Sequence, residues 1–381
     1  MKIAIDINGI SERSGLANYL RLLIGALAEE DRENQYLLYL HSWGLRELRD
    51  LRLPRAGNFS LLTQRLPQRA ELLGERVIGL RLVEPFLRRH GVDVFHGPSN
   101  VLPLLRGIPS VLTLHHYMSP DHPFFSRHLG ASERFYFKLT DDSLKEASRV
   151  ITVSDYTRKD ILSRFSLDPA RVKTVYEGPS ELPPAPGAAR VDEILAGYGL
   201  GRGYILFVGP INERKNLPRL LQAFSAVLKA VPGLRLAVAG DGAPSYMETI
   251  KRLAAGLGGS VVFTGRTGPE QAAALYAGAA ALCYPSLFEG FGYPPLEAMA
   301  AGCPVLASRA ASIPEVVGGA GILFDPDNPG EIADAILAVV RDPGRREALA
   351  AAGRARLGEF SWAKAARATL AVYREALAGR N

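Results

Sequence analysis

The sequence has little cysteine and no long apolar run. Cys283 and Cys303 are its two cysteines among 381 residues, too few for a disulfide framework and without the Cys/His spacing of a zinc site. No stretch of about 18 apolar residues occurs, which excludes a membrane-spanning helix, and the first residues lack the apolar core and cleavage site of a signal peptide. These absences predict a protein of the reducing cytoplasm.

The sequence has only a small excess of positive charge. The chain has 45 basic and 39 acidic residues, a formal net charge of +6. Residues 46–90 hold ten arginines and five acidic residues, so the basic excess is local. Hydrophobic residues make up 47% and charged residues 22%, which is typical of globular proteins. A chain of this length and composition predicts two globular domains.

Short apolar runs alternate with helix-length segments, which predicts parallel sheets with crossover helices. Segment 179–189 contains four prolines and no hydrophobic period, so it is predicted to be a linker. The predicted strands lie at 2–7, 36–40, 92–97, 109–116 and 149–154 before the linker, and at 203–210, 234–242, 260–267, 280–285, 303–308 and 320–325 after it.

The predicted fold class is therefore α/β, with two doubly wound Rossmann-like domains facing across a cleft. The first domain is expected over 1–180 and the second over 200–360. An amphipathic helix within 361–381 can pack back on the first domain or on the second. Ligands of such sheets bind beyond the carboxyl ends of the strands, so the loops at those ends are the candidate functional segments.

Two glutamates, Glu289 and Glu297, bracket a glycine-rich turn after the predicted strand 280–285. Gly290 and Gly292 allow the backbone to approach a ligand, and a helix is predicted to start at Pro295. A helix N-terminus can bind phosphate, while the carboxylates can accept hydrogen bonds from sugar hydroxyls. The alternative is a helix-capping loop with two solvated glutamates.

Arg214 and Lys215 follow the first predicted strand of the second domain. A guanidinium and an ammonium at that edge can neutralise a diphosphate, above all when it departs as a leaving group. Solvated surface cations are the alternative.

In the first domain, Gly15 and the histidine pair His115 and His116 follow predicted strands. A glycine turn can present amides to an anion, although a plain loop has the same composition. A histidine at a strand end can orient a hydroxyl or accept its proton, or it can simply satisfy a backbone carbonyl.

Two further segments have both a functional and a structural interpretation. Asp325 and Asp327 imitate a paired-aspartate metal motif, but Asn328 and Pro329 follow them and favour a turn. Val77, Leu80, Val83 or Glu84, and Leu87 have near-helical spacing and are flanked by arginines. Such a helix can touch an anionic membrane, or it can be an ordinary surface helix with extended arginines.

The motifs together resemble the retaining family 4 glycosyltransferases of the GT-B fold. The resemblance covers nearly the whole chain. It is carried by GLANYL, FHGPSNVLPL, TLHH and RVITVSDYTRKDI before the linker, and by FVGPINERKNLPRLLQAF, VVFTGR, YPSLFEGFGYPPLEAMAAGCPVLAS and IPEVVGGAGILFDPDNP after it.

The resemblance implies a donor site. Arg214 and Lys215 would hold the donor diphosphate, Glu289 the hydroxyls of the transferred sugar and Glu297 the ribose. The other implied donor-site residues are Gly15, Phe291, Gly292 and Tyr293 at the sugar and phosphates, and Arg266 and Thr267 near the nucleobase.

The resemblance also implies roles near the reacting sugar. His115 would stand beside that sugar and join Arg214, Lys215 and Glu289 in catalysis, while His116 and Ser154 are weaker acceptor-side candidates. His116 replaces a common Asp, Pro210 a common Arg or Thr, and Glu177 a common Asn. These departures concern the acceptor and one phosphate contact. No cofactor and no metal are implied.

The resulting hypothesis is a cytoplasmic bacterial enzyme, placed at the inner face of the plasma membrane if residues 46–90 contact lipid. It would transfer mannose from GDP-mannose to a saccharide or lipid-linked saccharide in surface polysaccharide synthesis. A UDP-sugar donor, or a non-catalytic scaffold that binds nucleotide sugars, remains an alternative. A dinucleotide-dependent dehydrogenase is disfavoured, because no G-x-G-x-x-G follows the first strand. No nucleic-acid partner is expected.

Overall fold

The chain folds into two compact units. The structure, a computed structural model, describes residues 1–8, 10, 15–41, 54, 56–65, 74–75, 79–117 and 130–379. One unit comprises Met1–Gly178 and Ser361–Asn381, and the other comprises Pro179–Phe360. The second unit thus begins inside the proline-rich segment 179–189, whose last residues already belong to a helix that starts at Ala188.

In the described part of the first unit, seven parallel strands form one sheet in the order β3-β2-β1-β4-β5-β6-β7. The strands are β1 (Lys2–Asp6), β2 (Gln35–His41), β3 (Phe59–Gln64), β4 (Val94–Gly97), β5 (Ser110–Leu114), β6 (Arg149–Thr152) and β7 (Val172–Thr174). The helices are α1 (Gly15–Glu30), α2 (Glu84–Arg89), α3 (Ala131–Glu146), α4 (Asp155–Arg164) and, from the C-terminus, α13 (Trp362–Ala378).

Both faces of this sheet are covered. Ile3 and Ile5 of β1 join a core with Leu20 of α1 and Tyr373 of α13. Ala4, between those isoleucines, belongs to the core on the opposite face, because successive strand residues point to opposite sides. This two-sided burial explains why the strands are apolar runs without alternation, and it brings the C-terminal helix onto the first unit.

The described second unit has a six-stranded parallel sheet in the order β10-β9-β8-β11-β12-β13. The strands are β8 (Tyr204–Val208), β9 (Leu236–Ala239), β10 (Val261–Gly265), β11 (Ala279–Tyr284), β12 (Val305–Ser308) and β13 (Gly321–Phe324). The helices are α5 (Ala188–Gly197), α6 (Leu217–Ala230), α7 (Pro244–Ala255), α8 (Pro269–Gly278), α9 (Tyr293–Ala300), α10 (Ile313–Val317), α11 (Pro329–Val340) and α12 (Pro343–Leu357).

Helix α6 shows why these segments are helical. Leu217, Leu220, Leu221, Phe224 and Val227 recur at helical spacing and are all buried. They form one apolar stripe against the sheet. The stripe orients the loop between β8 and α6, which carries Arg214 and Lys215.

Two strands of the first sheet were not predicted from the sequence, and one helix starts later than predicted. Strand β3 and the three-residue β7 lie at opposite edges of the first sheet. The helix expected over residues 77–87 was wrong for residues 79–83, which are not helical, and Leu80 is exposed. Helix α2 begins at Glu84, with Pro85 in its first turn, a position that proline favours. Val77 lies outside the described residues.

Candidate active site

The second sheet reverses its strand order between β8 and β11. Strands β9 and β10 lie on one side of this point, and β12 and β13 lie on the other. The loops after β8 and β11 therefore diverge at the carboxyl edge of the sheet, where open α/β sheets bind ligands. Arg214 and Lys215 follow β8 and Glu289 follows β11, so the topology brings together the cations and the first glutamate predicted from the sequence.

A capped turn directs Lys215 inward. Asn212 caps the single 3-10 turn Glu213–Lys215 by accepting a hydrogen bond from the Lys215 backbone amide, and Asn216 ends the turn with a φ of 55°. The Asn216 side chain donates to the Pro326 carbonyl at 2.8 Å. Because the backbone is fixed at both ends of this turn, the Lys215 side chain is held in the interior and is 4% exposed.

Glu289 is the centre of a buried polar cluster. Its Oε1 accepts hydrogen bonds from Lys215 Nζ at 2.6 Å, Ser286 Oγ at 2.5 Å and the Tyr284 hydroxyl at 2.8 Å. Its Oε2 pairs with the guanidinium of Arg214, which also donates to the Phe288 carbonyl at 2.7 Å. One carboxylate thus receives donors on both of its oxygens.

Opposing electrostatic effects fix the charge of this cluster. Burial favours the neutral acid of Glu289, but the charges of Lys215 and Arg214 outweigh it and hold the pKa of Glu289 at about 2. Burial lowers the pKa of Lys215, and the carboxylate of Glu289 opposes this effect. Burial, followed by the charge of Glu289, raises the pKa of Tyr284 well above its usual value. Tyr284 therefore stays protonated as a donor to Glu289, while its oxygen accepts from Lys215 Nζ at 2.5 Å.

The glycine turn leads directly into helix α9. Gly292 precedes the helix with a φ of 121°, a conformation that side chains disfavour. The hydroxyl of Ser312 donates to the carbonyls of Glu289 and Phe291, each at 2.9 Å. These bonds hold the turn, and the helix starts at Tyr293, two residues before the predicted Pro295.

Glu297 lies in this helix, and both of its carboxylate oxygens are bonded to protein hydroxyls. Ser180 Oγ donates to Oε1 at 2.6 Å, and the Tyr276 hydroxyl donates to Oε2 at 2.7 Å. The charge of Glu297 also favours the charged form of Lys215. The two glutamates predicted from the sequence therefore share one electrostatic environment.

The nucleobase candidates Arg266 and Thr267 follow β10, the edge strand, rather than β8 or β11. Arg266 is exposed, and its Nε lies 3.8 Å from Asp241 Oδ2 in the loop after β9. The structure therefore places these two residues two strands away from the Glu289 cluster.

In the first unit, the candidate site residue Gly15 follows β1, and the candidates His115 and His116 follow β5. Gly15 is the exposed first residue of α1, and the residues just before it lie outside the described ones. His116 is exposed, whereas His115 is half-buried and contacts Glu177 and the Pro98 carbonyl. A contact between the ring of His115 and a backbone carbonyl was one of the two open alternatives for this residue.

Two further candidates make local structural contacts. Ser154 is fully buried, and its hydroxyl caps helix α4 by accepting from the Thr157 amide. Asp325 Oδ1 accepts from the Asp327 amide at 2.9 Å. This contact is typical of a turn, which the sequence favoured over a metal motif. Within the described residues, no group of three His, Cys, Asp or Glu side chains is arranged to hold a metal ion.

The sequence matches two family descriptions over successive segments. Residues 13–179 match "Glycosyltransferase Family 4" and residues 202–342 match "Glycosyl transferases group 1". The O-antigen chain mannosyltransferase B of Escherichia coli is 32% identical over 296 residues, which cover 76% of this chain and 76% of the relative. The chain belongs to these glycosyltransferases.

Further similarities support the same assignment. This glycosyltransferase is 32% identical over 298 residues to the alpha-maltose-1-phosphate synthase of Mycolicibacterium smegmatis, covering 71% of this chain and 74% of the relative. Among solved structures, Anabaena HepE in complex with UDP and glucose has a TM-score of 0.71 at 19% identity, covering 97% and 98% of the two chains. WaaG, a glycosyltransferase involved in lipopolysaccharide biosynthesis, has a TM-score of 0.70 at 16% identity, covering 96% and 98%. These neighbours show that the fold is GT-B.

Sequence reasoning missed several residues that position the site of this glycosyltransferase. Tyr284 and Ser286 bond Glu289, while Ser180 and Tyr276 bond Glu297. The nearness of Tyr284 and Ser286 to Glu289 in the sequence was a usable signal. Ser180 gave none, because it is 117 residues from Glu297.

Two glycines beside the cluster, Gly209 and Gly240, were also not predicted to matter. A Cβ on Gly240, where φ is 149°, would come within 1.9 Å of the Gly209 carbonyl oxygen. Gly209 itself has a φ of 142° and faces Lys215. The loops after β8 and β9 of this glycosyltransferase can therefore pass this closely only because Gly240 has no side chain.

Proposed function

We propose that the chain is a retaining mannosyltransferase that transfers mannose from GDP-mannose to a hydroxyl of a saccharide or lipid-linked saccharide. Its place would be bacterial surface polysaccharide synthesis at the cytoplasmic side of the membrane. The observation that carries the proposal is the buried cluster of Arg214, Lys215 and Glu289 at the strand-order reversal. Two Escherichia coli relatives, the O-antigen chain mannosyltransferase B and the serotype-specific mannosyltransferase WbdA, support the choice of mannose.

Two cationic side chains of the cluster can meet a sugar diphosphate. Both pair with Glu289, and the charge of Glu297 also acts on Lys215. A bound diphosphate would take hydrogen bonds from Arg214 and Lys215, and Glu289 would then accept from hydroxyls of the sugar. The cations act most strongly as the diphosphate departs, because its negative charge grows in the transition state.

The proposed reaction retains the configuration at the anomeric carbon. The bond between that carbon and the diphosphate oxygen breaks, and a bond to the acceptor oxygen forms on the same face. The acceptor proton passes to the departing diphosphate oxygen, so the products are the glycoside and a nucleoside diphosphate. Arg214, Lys215 and the amides of Phe291, Gly292 and Tyr293 would stabilise the departing charge without a metal ion.

A donor panel tests this proposal. The purified protein is incubated with GDP-mannose, GDP, UDP-glucose and UDP while its melting temperature is measured, because a ligand that binds the folded state raises it. Release of nucleoside diphosphate, with and without a mannoside acceptor, is measured in parallel. A higher melting temperature with GDP-mannose, together with sugar transfer, supports the proposal. A higher melting temperature only with UDP-sugars rejects the mannose assignment. Binding without turnover rejects the proposal that the protein is an enzyme.

We also propose that residues 46–90 contact anionic lipid. In the described part of this segment, Leu80 is 51% exposed and is followed by the exposed Arg81. Arg88 is exposed and pairs with Glu84 at 2.8 Å. No described helix is long and apolar enough to cross a bilayer. Sedimentation with anionic vesicles, but not with neutral ones, is the expected result, and equal sedimentation with both would reject the contact.

A further inference from the structure

The imidazole of His115 is held on several sides within the first unit. Its backbone amide donates to Asn100 Oδ1 at 3.0 Å. Its ring meets the ring of Tyr19 edge-on, with 4.6 Å between centroids and 87° between planes. The orientation of the imidazole is therefore set by packing as well as by hydrogen bonds.

Both ring nitrogens of His115 face hydrogen-bond acceptors. Nε2 lies 3.0 Å from the Pro98 carbonyl oxygen, and Nδ1 lies 3.2 Å from Glu177 Oε1. A carbonyl oxygen only accepts, so Nε2 must carry a proton and donate it. In a neutral ring Nδ1 would then be a bare acceptor facing a carboxylate, which also only accepts. Both contacts are satisfied only when the pair of His115 and Glu177 holds one additional proton.

That proton belongs on the ring, because imidazole is a stronger base than a carboxylate. Glu177 is 2% exposed, and its Oε2 has no hydrogen-bond partner among the described residues. A buried carboxylate is costly without a counter-charge. Among the described side chains, His115 is the ion-pair partner that the structure gives to Glu177.

Two further groups near this pair, among the residues that the structure describes, are uncharged. The buried His96 bonds Tyr373 and Thr113, each at 2.7 Å. Burial, followed by the charge of His115, lowers the pKa of His96 to about 3, so it is neutral at pH 7. The hydroxyl of Tyr19 lies 3.2 Å from that of Thr113, and burial raises the pKa of Tyr19.

We propose that Glu177 is a positioning residue that keeps His115 doubly protonated, so that His115 serves the transfer reaction as a fixed positive charge and not as a base. The inference rests on the proposed function. With both ring nitrogens donating to the protein, the ring cannot take the proton of an acceptor hydroxyl. That proton is left to the departing diphosphate oxygen, in agreement with same-face attack. Glu177 itself acts through His115, because its carboxylate is closed off from solvent.

The ring protonation is measured directly, without ligand, on the full chain. Histidine is labelled with 15N, proton-nitrogen correlation spectra are recorded at pH 7, and His115→Asn identifies the His115 signals. Two ring protons are expected in the wild type. In Glu177→Gln only Nε2 should keep its proton, because the glutamine amide can donate to Nδ1. Glu181→Gln, which removes an exposed glutamate four residues away, should match the wild type. A single ring proton in the wild type overturns the proposal, even if Glu177→Gln does not fold.

Sugar transfer provides the second readout. Glu177→Gln should lower kcat about tenfold or more while the KM for the donor stays unchanged, since a fixed charge that acts in the transition state is lost. A normal kcat with a neutral ring would overturn the claim that this charge serves the reaction. A wild-type protein that transfers no sugar from any donor in the panel would reject the proposed function, and the ring measurement alone would then decide the protonation claim.

Discussion

Lys215 donates to Glu289 Oε1 across 2.6 Å, and both side chains are buried. The contact joins the loops after two neighbouring strands at the point where the strand order of the second sheet reverses. Arg214 occupies the second oxygen of the same carboxylate. The cations proposed for the diphosphate and the glutamate proposed for the sugar therefore form one electrostatic unit.

This coupling predicts a specific acid sensitivity. The pKa of Glu289 is depressed to about 2 in the folded protein, so the carboxylate stabilises the fold above its ordinary pKa. That stabilisation is lost as the pH falls towards the depressed value. In urea unfolding, the stability difference between the wild type and Glu289→Gln should narrow by about 2 kcal/mol between pH 6 and pH 3.

The control for this experiment is Glu347→Gln at an exposed position on helix α12. The difference in the free energy of unfolding between Glu347→Gln and the wild type should stay constant over the same pH range. If the difference for Glu289→Gln also stayed constant, Lys215 and Arg214 would not be holding the carboxylate of Glu289 in its charged form.

Removing the hydroxyl of Tyr284 should weaken the cluster without changing its shape. In Tyr284→Phe, Lys215 and Glu289 each lose one buried hydrogen bond, and the free energy of unfolding should fall by about 2 kcal/mol. Binding of the nucleotide sugar should weaken in parallel, as measured by calorimetry. Tyr198→Phe, at a half-buried position, is the control. Unchanged stability and affinity in Tyr284→Phe would mean that Tyr284 does not position the charges.

Ser180 and the ribose of a donor should compete for Glu297. Both oxygens of Glu297 already accept bonds from protein hydroxyls, and we expect a ribose hydroxyl to displace Ser180 from Oε1. Ser180→Ala frees Oε1, and the Kd for the nucleoside diphosphate should fall by about fivefold, which corresponds to roughly one hydrogen bond. Ser163→Ala, on the first unit, should leave the Kd unchanged. A weaker affinity in Ser180→Ala would show instead that Ser180 holds Glu297 in its binding position.

In the first sheet, the buried strands could be predicted from the sequence, and the two edge strands β3 and β7 could not. Strand β5 has the sequence SVLTL, is buried along its whole length and is apolar at three of its five positions. Strand β3 has one buried residue, Leu62, and therefore carries no comparable pattern. Residues 79–83 are not helical although Leu80 and Val83 fit the helical spacing, because apolar spacing alone does not require a helix. Proline in the first turn of α2 marks its actual start.

The candidate site likewise has residues that could be predicted from the sequence and residues that could not. Strand order and motif position placed Arg214, Lys215 and Glu289 at one sheet edge, since loops after neighbouring parallel strands meet there. The partners of these residues depend on tertiary structure. The pairing of His115 with Glu177 spans 62 residues, and in the sequence Glu177 stood out only as a departure from a common asparagine. The nucleobase role of Arg266 rests on the resemblance alone, and the structure shows Arg266 exposed in the loop after β10.

The most direct test of the account is the turnover of Lys215→Ala in sugar transfer from GDP-mannose at saturating donor. Lys229→Ala, which removes an exposed lysine near the end of α6, is the matched control, and melting curves confirm that both variants are folded. We expect kcat to fall by about a hundredfold or more in Lys215→Ala and to be unchanged in Lys229→Ala, because a buried cation at the departing diphosphate is lost. Wild-type turnover by folded, donor-saturated Lys215→Ala would contradict this expectation.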